Sequence, residues 1–222
     1  MNELEYYEET KDWDFSKYEI ESEILTNWDL FKKLNEVATN NSRILDLGTG
    51  GGEKVLEYYP ECEQILGTDL SPEMIKTATK NLNKSGKKNI YFRVMNNLEM
   101  DVPENYFDIV VARNTVTDSS QIYKCLKEGG ILLIHGVDMF DCHYLKLMFG
   151  KGQAFKDTKS ISIIDYENVL NAGFHEIELI PIHKREYFKN RYWWKFKIIL
   201  SNSSICIING NSIAYTRIKT HI

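Results

Sequence analysis

The spacing in this chain that could do chemistry is two acids set around a cluster of glycines. Asp46 ends the apolar run Ile44-Leu45, and Gly48-Thr49-Gly50-Gly51-Gly52 follows two residues later. Asp69 ends the next apolar run, Gln64-Ile65-Leu66-Gly67-Thr68. Glycine lets the backbone turn sharply and lets a ligand touch the main chain without meeting a Cβ. After the glycines, Val55, Leu56, Tyr58 and Tyr59 read as a helix, whose first N–H groups have no partner within the helix. The pattern is strand, tight turn and helix start, with an acid at the strand's carboxyl end.

What flanks the glycines decides which ligand they suit. A dinucleotide fingerprint, G-x-G-x-x-G, fails because the sixth position from Gly48 is Glu53. A phosphate loop fails for want of Gly-Lys-Ser/Thr. Asp46 would repel a pyrophosphate but suits a ligand carrying an ammonium group, and an acid closing the second strand, Asp69, suits ribose hydroxyls. A ribose at one end and a cationic amino acid at the other describe S-adenosylmethionine.

Four stretches in order, Asp46-Leu-Gly-Thr-Gly-Gly-Gly52, Gly67-Thr-Asp-Leu-Ser-Pro-Glu-Met74, Phe107-Asp-Ile-Val-Val-Ala-Arg-Asn114 and Leu126-Lys-Glu-Gly-Gly-Ile-Leu-Leu-Ile134, resemble the motifs of class I S-adenosylmethionine-dependent methyltransferases. The resemblance covers roughly 41–182. It implies an α/β, three-layer Rossmann-like fold whose mostly parallel seven-stranded sheet has an antiparallel strand near one edge. It also implies that Asp46 and the loop of Gly48, Thr49 and Gly50 hold the methionine part, and that Asp69 holds the ribose, with Leu70 closing its pocket. Met74 stands where relatives place an apolar side chain against the adenine, although a plain core methionine reads the same. Relatives follow the third strand with an acid for the adenine amino group; here Met95-Asn96-Asn97-Leu98 stands in its place. An Asn carbonyl still accepts, so Asn96 or Asn97 takes the role. Arg113, Asn114 and Thr115 would lie beside the transferable methyl group. The Asn-Pro-Pro-Tyr of many nucleic-acid and protein N-methylating relatives is replaced by Arg113-Asn114-Thr115-Val116, and no Pro-Cys pair offers a nucleophile. Trp13-Asp-Phe-Ser16 and Trp28 look similar to a feature of one bacterial subgroup with unassigned substrate.

The rest of the chain must position these groups. At 222 residues, 43% hydrophobic and 27% charged, it fits one globular domain with a real core. No apolar run reaches the ~18–20 residues of a membrane helix. The acidic, aromatic N-terminus does not read as a secretory signal. Four scattered cysteines, Cys62, Cys125, Cys142 and Cys206, form no C-x-x-C pair and fit reduced thiols in a cytoplasmic protein. A helical or lid segment is expected over 1–40, with a helix from about Asn27 to Ala38, the Rossmann-like domain over 41–200, and a hairpin or tail over 201–222. Ser71-Pro72-Glu73 reads as a helix start, Asn89–Val94 as a third strand and Phe107–Ala112 as a fourth. Gln121–Lys127 reads as a short helix. Glu128-Gly129-Gly130 reads as a turn into a fifth strand, Ile131–His135. Ile163–Ala172 reads as a helix and Phe174–Ile182 as a strand.

His135, Asp138, Asp141 and His143 cluster just past the fifth strand. Their spacing matches no standard metal-ligand motif; they could supply a general base, bind substrate or simply be loop polars. Residues 183–197 mix basic and aromatic side chains, which reads either as a final strand with one wet face or as an RNA surface. A net charge of -5 gives no general attraction for nucleic acid. The expected activity is direct methyl transfer to a small-molecule acceptor. The alternatives are an RNA methyltransferase that uses the tail, or a cofactor-binding protein without transfer activity.

Overall fold

The computed structural model describes residues 20–141, 146–147, 150, 155–182, 184–188 and 218–219. In chain order the elements are β1 (Ile20–Ile24), α1 (Leu30–Val37), β2 (Arg43–Leu47), α2 (Glu53–Tyr58), β3 (Gln64–Asp69), α3 (Pro72–Ser85), β4 (Ile90–Val94), β5 (Phe107–Arg113), α4 (Ser119–Cys125), β6 (Leu126–His135), α5 (Ile161–Asn171), β7 (Lys184–Phe188) and β8 (Ile218–Lys219). Strands β4-β3-β2-β5-β6 lie parallel in that order, and β8 pairs antiparallel with β6 at the edge. Among the described residues this sheet has six strands, where seven were expected. A separate antiparallel pair joins β1 to β7.

Helices cover both faces of the sheet, so the central strands read as continuous apolar runs. Alternation along each strand then sorts side chains into two cores. Leu45, Leu47, Val110, Ala112, Leu132 and Ile134 pack with Ile122 of α4 and Val169 of α5. Ile44, Ile109, Val111 and Leu133 pack on the other face with Leu30 and Leu34 of α1 and with Val55 and Tyr59 at α2. From β2 the chain winds outward through β3 and β4, then returns to place β5 on β2's other side. The reversal leaves a crevice beyond the carboxyl ends of β2 and β5, where open α/β sheets bind ligands.

Local chemistry sets several boundaries. Asp29 caps α1, its carboxylate accepting the Lys32 N–H at 2.8 Å, so that helix starts at Leu30 and not at Asn27. Ser71 caps α3 with Pro72 in the first turn, and Gly86 at φ 68° ends it. Helix α4 stops at Cys125, earlier than its pattern indicates. The turn expected at Glu128-Gly129-Gly130 is instead an irregularity inside β6: Leu126 pairs with Phe107, and Ile131 pairs with Ile109.

The expected strand over Phe174–Ile182 does not form. Phe174 is fully buried whereas Leu179 is exposed, so the alternate apolar residues share no face. Glu176 at φ 53° breaks the extended run, leaving one bridge residue at His175. Strand β7 comes later, within the basic-aromatic segment. The hairpin expected over 204–218 lies outside the described residues except for Ile218, as do Trp13 and His143. No helix among the described residues is long and apolar enough to cross a membrane.

Candidate active site

The two edges of the sheet differ. At the amino edge, charges are paired: the Arg43 guanidinium donates to Glu63 at 2.7 Å, and Lys127 donates to Asp108 at 2.7 Å. At the carboxyl edge, the ends of β2, β3 and β5 and the loop after β4 bring Asp46, Asp69, Arg113 and Asn97 toward one crevice.

The glycine turn is built on left-handed backbone, with φ of 74°, 59° and 77° at Gly48, Gly50 and Gly52. At Gly48 glycine is required twice over, because a Cβ there would sit 2.7 Å from the Thr115 Cβ. The loop is anchored by its own N–H groups. Those of Gly48 and Thr49 both reach the Thr68 carbonyl at 2.8 Å. The Gly50 N–H donates to Asp69 Oδ2 at 2.9 Å, while the Ser71 N–H donates to Oδ1 at 2.9 Å. Asp69 is thus held by two backbone donors, half-buried at the end of β3, with lone pairs left over for hydroxyl donors.

Asp46 is 5% exposed and points to the face that carries Ile44, toward α2. There the Tyr59 hydroxyl donates a hydrogen bond to its Oδ1. Burial pushes the Asp46 carboxyl up to about 6, against the opposing pull of the Tyr59 hydroxyl, Arg113 and Thr49. Arg113, half-buried at the end of β5, pairs in the ladder with His135, and its charge acts on both Asp46 and Tyr59.

The two asparagines separate. Asn96 Oδ1 accepts the Leu98 N–H at 3.0 Å and closes a local turn. Asn97 is 9% exposed; its Nδ2 donates to Thr115 Oγ1 at 2.9 Å, and its Oδ1 is buried with no partner among the described residues. A buried orphan acceptor is costly unless a ligand satisfies it. This set of acceptors therefore fits S-adenosylmethionine, with acids for the ribose and ammonium and an unpartnered amide carbonyl for the adenine amino group. Leu70 and Leu98 are exposed beside these groups, and Met74 is buried outside both main core clusters.

On the acceptor side, Asn114 takes φ 52° and its N–H donates to the His135 carbonyl at 2.8 Å, fixing the turn after β5. The Trp28 ring lies 6.1 Å from the His135 ring while also packing on the α1 core. Trp28 is thus an anchor of the α1 core.

Asp138 turns away from chemistry. It is buried and accepts the Ser162 N–H at 3.1 Å and the Ser160 hydroxyl, capping α5 from a distance. Its charge, added to burial, keeps the Asp165 carboxyl up at about 6. Lys146, buried nearby with Nζ donating to the Met139 carbonyl at 3.1 Å, has its pKa lowered by desolvation. Among the described residues no three His, Cys, Asp or Glu side chains are grouped so as to hold a metal ion. Sequence reasoning missed the contact of Tyr59 with Asp46 and the pairing of Thr115 with Asn97. Tyr59 looked like one more apolar position of α2, and nothing local linked Thr115 to Asn97.

Comparison with known proteins fits this geometry. A family described as "Methyltransferase domain" matches residues 38–169. The uncharacterised methyltransferase YcgJ of Bacillus subtilis is 28% identical over 86 residues, covering 39% of this chain and 34% of that protein. A Bacillus halodurans protein provisionally named a methyltransferase superposes with a TM-score of 0.62 at 20% identity, over 86% of this chain and 99% of that one. A Haemonchus contortus phosphoethanolamine N-methyltransferase, solved with phosphomonomethylethanolamine and S-adenosylhomocysteine, gives a TM-score of 0.54 at 26% identity, over 68% of this chain and 37% of that one. The chain spans between a quarter and about two fifths of the length of the curated relatives it matches. With the motifs, the fold and the family match in agreement, the chain belongs to the methyltransferase-domain family of class I, whose cofactor is S-adenosylmethionine.

Proposed function

We propose that this chain transfers a methyl group from S-adenosylmethionine to a small-molecule acceptor bound beside the carboxyl ends of β5 and β6. The observation that carries the cofactor side is the buried, unpartnered Asn97 Oδ1, in the crevice that also holds Asp46 and Asp69. The cofactor supplies an activated sulfonium methyl, so no protein nucleophile is needed. The chain's task is to bind, align and exclude water. Asp69 takes the ribose hydroxyls, Asn97 the adenine amino group, and Asp46 with the Gly48–Gly52 loop the methionine end. Arg113 sets the charge beside Asp46. Within the cluster past β6, Asp138 is engaged as a helix cap.

A small acceptor is favoured by the acids at this edge and by the net charge of -5, both unfavourable to a phosphate backbone. Two relatives named for phosphoethanolamine, from Plasmodium falciparum and Haemonchus contortus, support the same class. Calorimetric titration with S-adenosylmethionine and S-adenosylhomocysteine tests the cofactor. Micromolar binding is expected, weakened about 10- to 100-fold by Asp69→Ala, the loss of hydrogen bonds to a charged group. Unchanged binding in that variant would sink the ribose assignment. Salt-sensitive RNA binding by the wild-type chain would overturn the small-molecule reading.

A further inference from the structure

Tyr59 lies outside every motif, yet it is the residue in direct hydrogen-bond contact with the buried Asp46 carboxylate. It sits at the carboxyl cap of α2, its N–H reaching the Val55 carbonyl at 3.4 Å. Its ring is 7% exposed and packs 6.1 Å from the Phe31 ring of α1. Cap and ring packing therefore hold the hydroxyl in place. The groups that act on Asp46 come from every neighbouring element. Tyr59 comes from α2, Arg113 from β5, Asp69 from β3 and the Thr49 hydroxyl from the glycine turn. Of these only Asp69 favours the neutral acid; burial does so more strongly still.

We propose that Tyr59 is a positioning residue for cofactor binding, holding Asp46 ionised and oriented so that its other carboxylate oxygen receives the ligand's ammonium group. The proposal rests on the cofactor reading above and extends it to a residue that touches no ligand. The phenol is suited to the task. Burial and the adjacent carboxylate push its own pKa well above 10, so it remains a donor wherever Asp46 titrates. Without that donor, burial is opposed only by Arg113 and Thr49, and the carboxylate spends more of its time neutral near pH 6.

The test is calorimetric binding of S-adenosylhomocysteine to the full chain between pH 5.5 and 8.5, for wild type, Tyr59→Phe, Asp46→Asn and the double variant. A displacement of the Asp46 midpoint by about one pH unit would reduce the competent fraction about eight-fold at pH 5.5 and about three-fold at pH 6.5, and scarcely at pH 8.5. In the Asp46→Asn background, Tyr59→Phe should change affinity less than about two-fold, because the titrating partner is gone. A loss that is the same at every pH, or that persists in that background, would mark Tyr59 as packing only and overturn the proposal. If Tyr59→Phe does not fold, 3-fluorotyrosine at position 59 gives a stronger donor of nearly the same shape. The binding midpoint should then move down, and an unmoved midpoint overturns the proposal. The controls separate the two levels of inference. A wild-type chain that binds no S-adenosylhomocysteine overturns the cofactor reading together with this proposal. Binding indifferent to Asp46→Asn overturns the Asp46 assignment. Binding that needs Asp46 but ignores Tyr59 overturns the Tyr59 proposal alone.

Discussion

Replacing Asp46 by Asn should make the ligand-free protein more stable while weakening its hold on the cofactor. The carboxyl is 5% exposed, and burial raises it from 3.8 to about 6. A group whose folded pKa is raised costs nothing below its unfolded pKa; the penalty grows between the two values and is complete above the folded one. At about 1.36 kcal/mol per pH unit, the ionised carboxylate costs the empty fold roughly 3 kcal/mol at pH 7.5. Asn keeps an acceptor for the Tyr59 hydroxyl and carries no charge, but its amide N–H groups need a partner. The expected gain is therefore about 1–3 kcal/mol. For a chain of this size each kcal/mol moves Tm by about 2–4 °C. Thermal melts of both proteins without ligand, at pH 7.5 and near pH 4, would read it. Asp46→Asn should melt several degrees higher at pH 7.5, and the gap should narrow toward pH 4. Its affinity for S-adenosylhomocysteine should fall at pH 7.5. A variant less stable than wild type at pH 7.5, or a gap independent of pH, would refute the burial argument.

Two further substitutions test neighbouring parts of the structure. Gly48→Ala forces a left-handed residue against the Thr115 Cβ at 2.7 Å, so it should lose more than the ~1–2 kcal/mol of backbone strain alone and weaken cofactor binding through the Asn97–Thr115 contact. Gly86→Ala is the control, with a similar φ of 68° and nothing within 4 Å of the added Cβ; its melt should shift less and its cofactor affinity should hold. Asp118 caps α4 by accepting from the Ser120 and Gln121 N–H groups at 2.9 and 3.2 Å; hydrogen bonds from the Ser120 and Gln121 side chains chiefly, and these backbone bonds in addition, hold its carboxyl down at about 2. Its contribution is present above its ordinary range near 3.8 and fades as pH falls through about 2. Asp118→Ala should cost about 1 kcal/mol in neutral-pH denaturation, and the difference should shrink in acid.

The strand, glycine turn and helix start were legible in the residues because their signals are local. A short apolar run, an acid, glycines that take positive φ and a helix start are neighbours in sequence, and their conformational needs do not depend on what lies across the sheet. The caps at Ser71 and Gly86 were legible for the same reason. The strand over Phe174–Ile182 was misread because alternation alone does not say whether alternate residues meet a buried face.

Sequence by itself determined the sheet's parallel core, the glycine turn and the two acids at the carboxyl edge. Only the tertiary structure decided how those groups are used. It spent the Asn96 carbonyl on its own turn and left that of Asn97 open, set Asp138 under α5 as a cap, and brought Tyr59 to Asp46 from 13 residues away. The reason is physical. A residue type fixes what a side chain can donate, accept or ionise, whereas burial and the partner across the fold fix what it does.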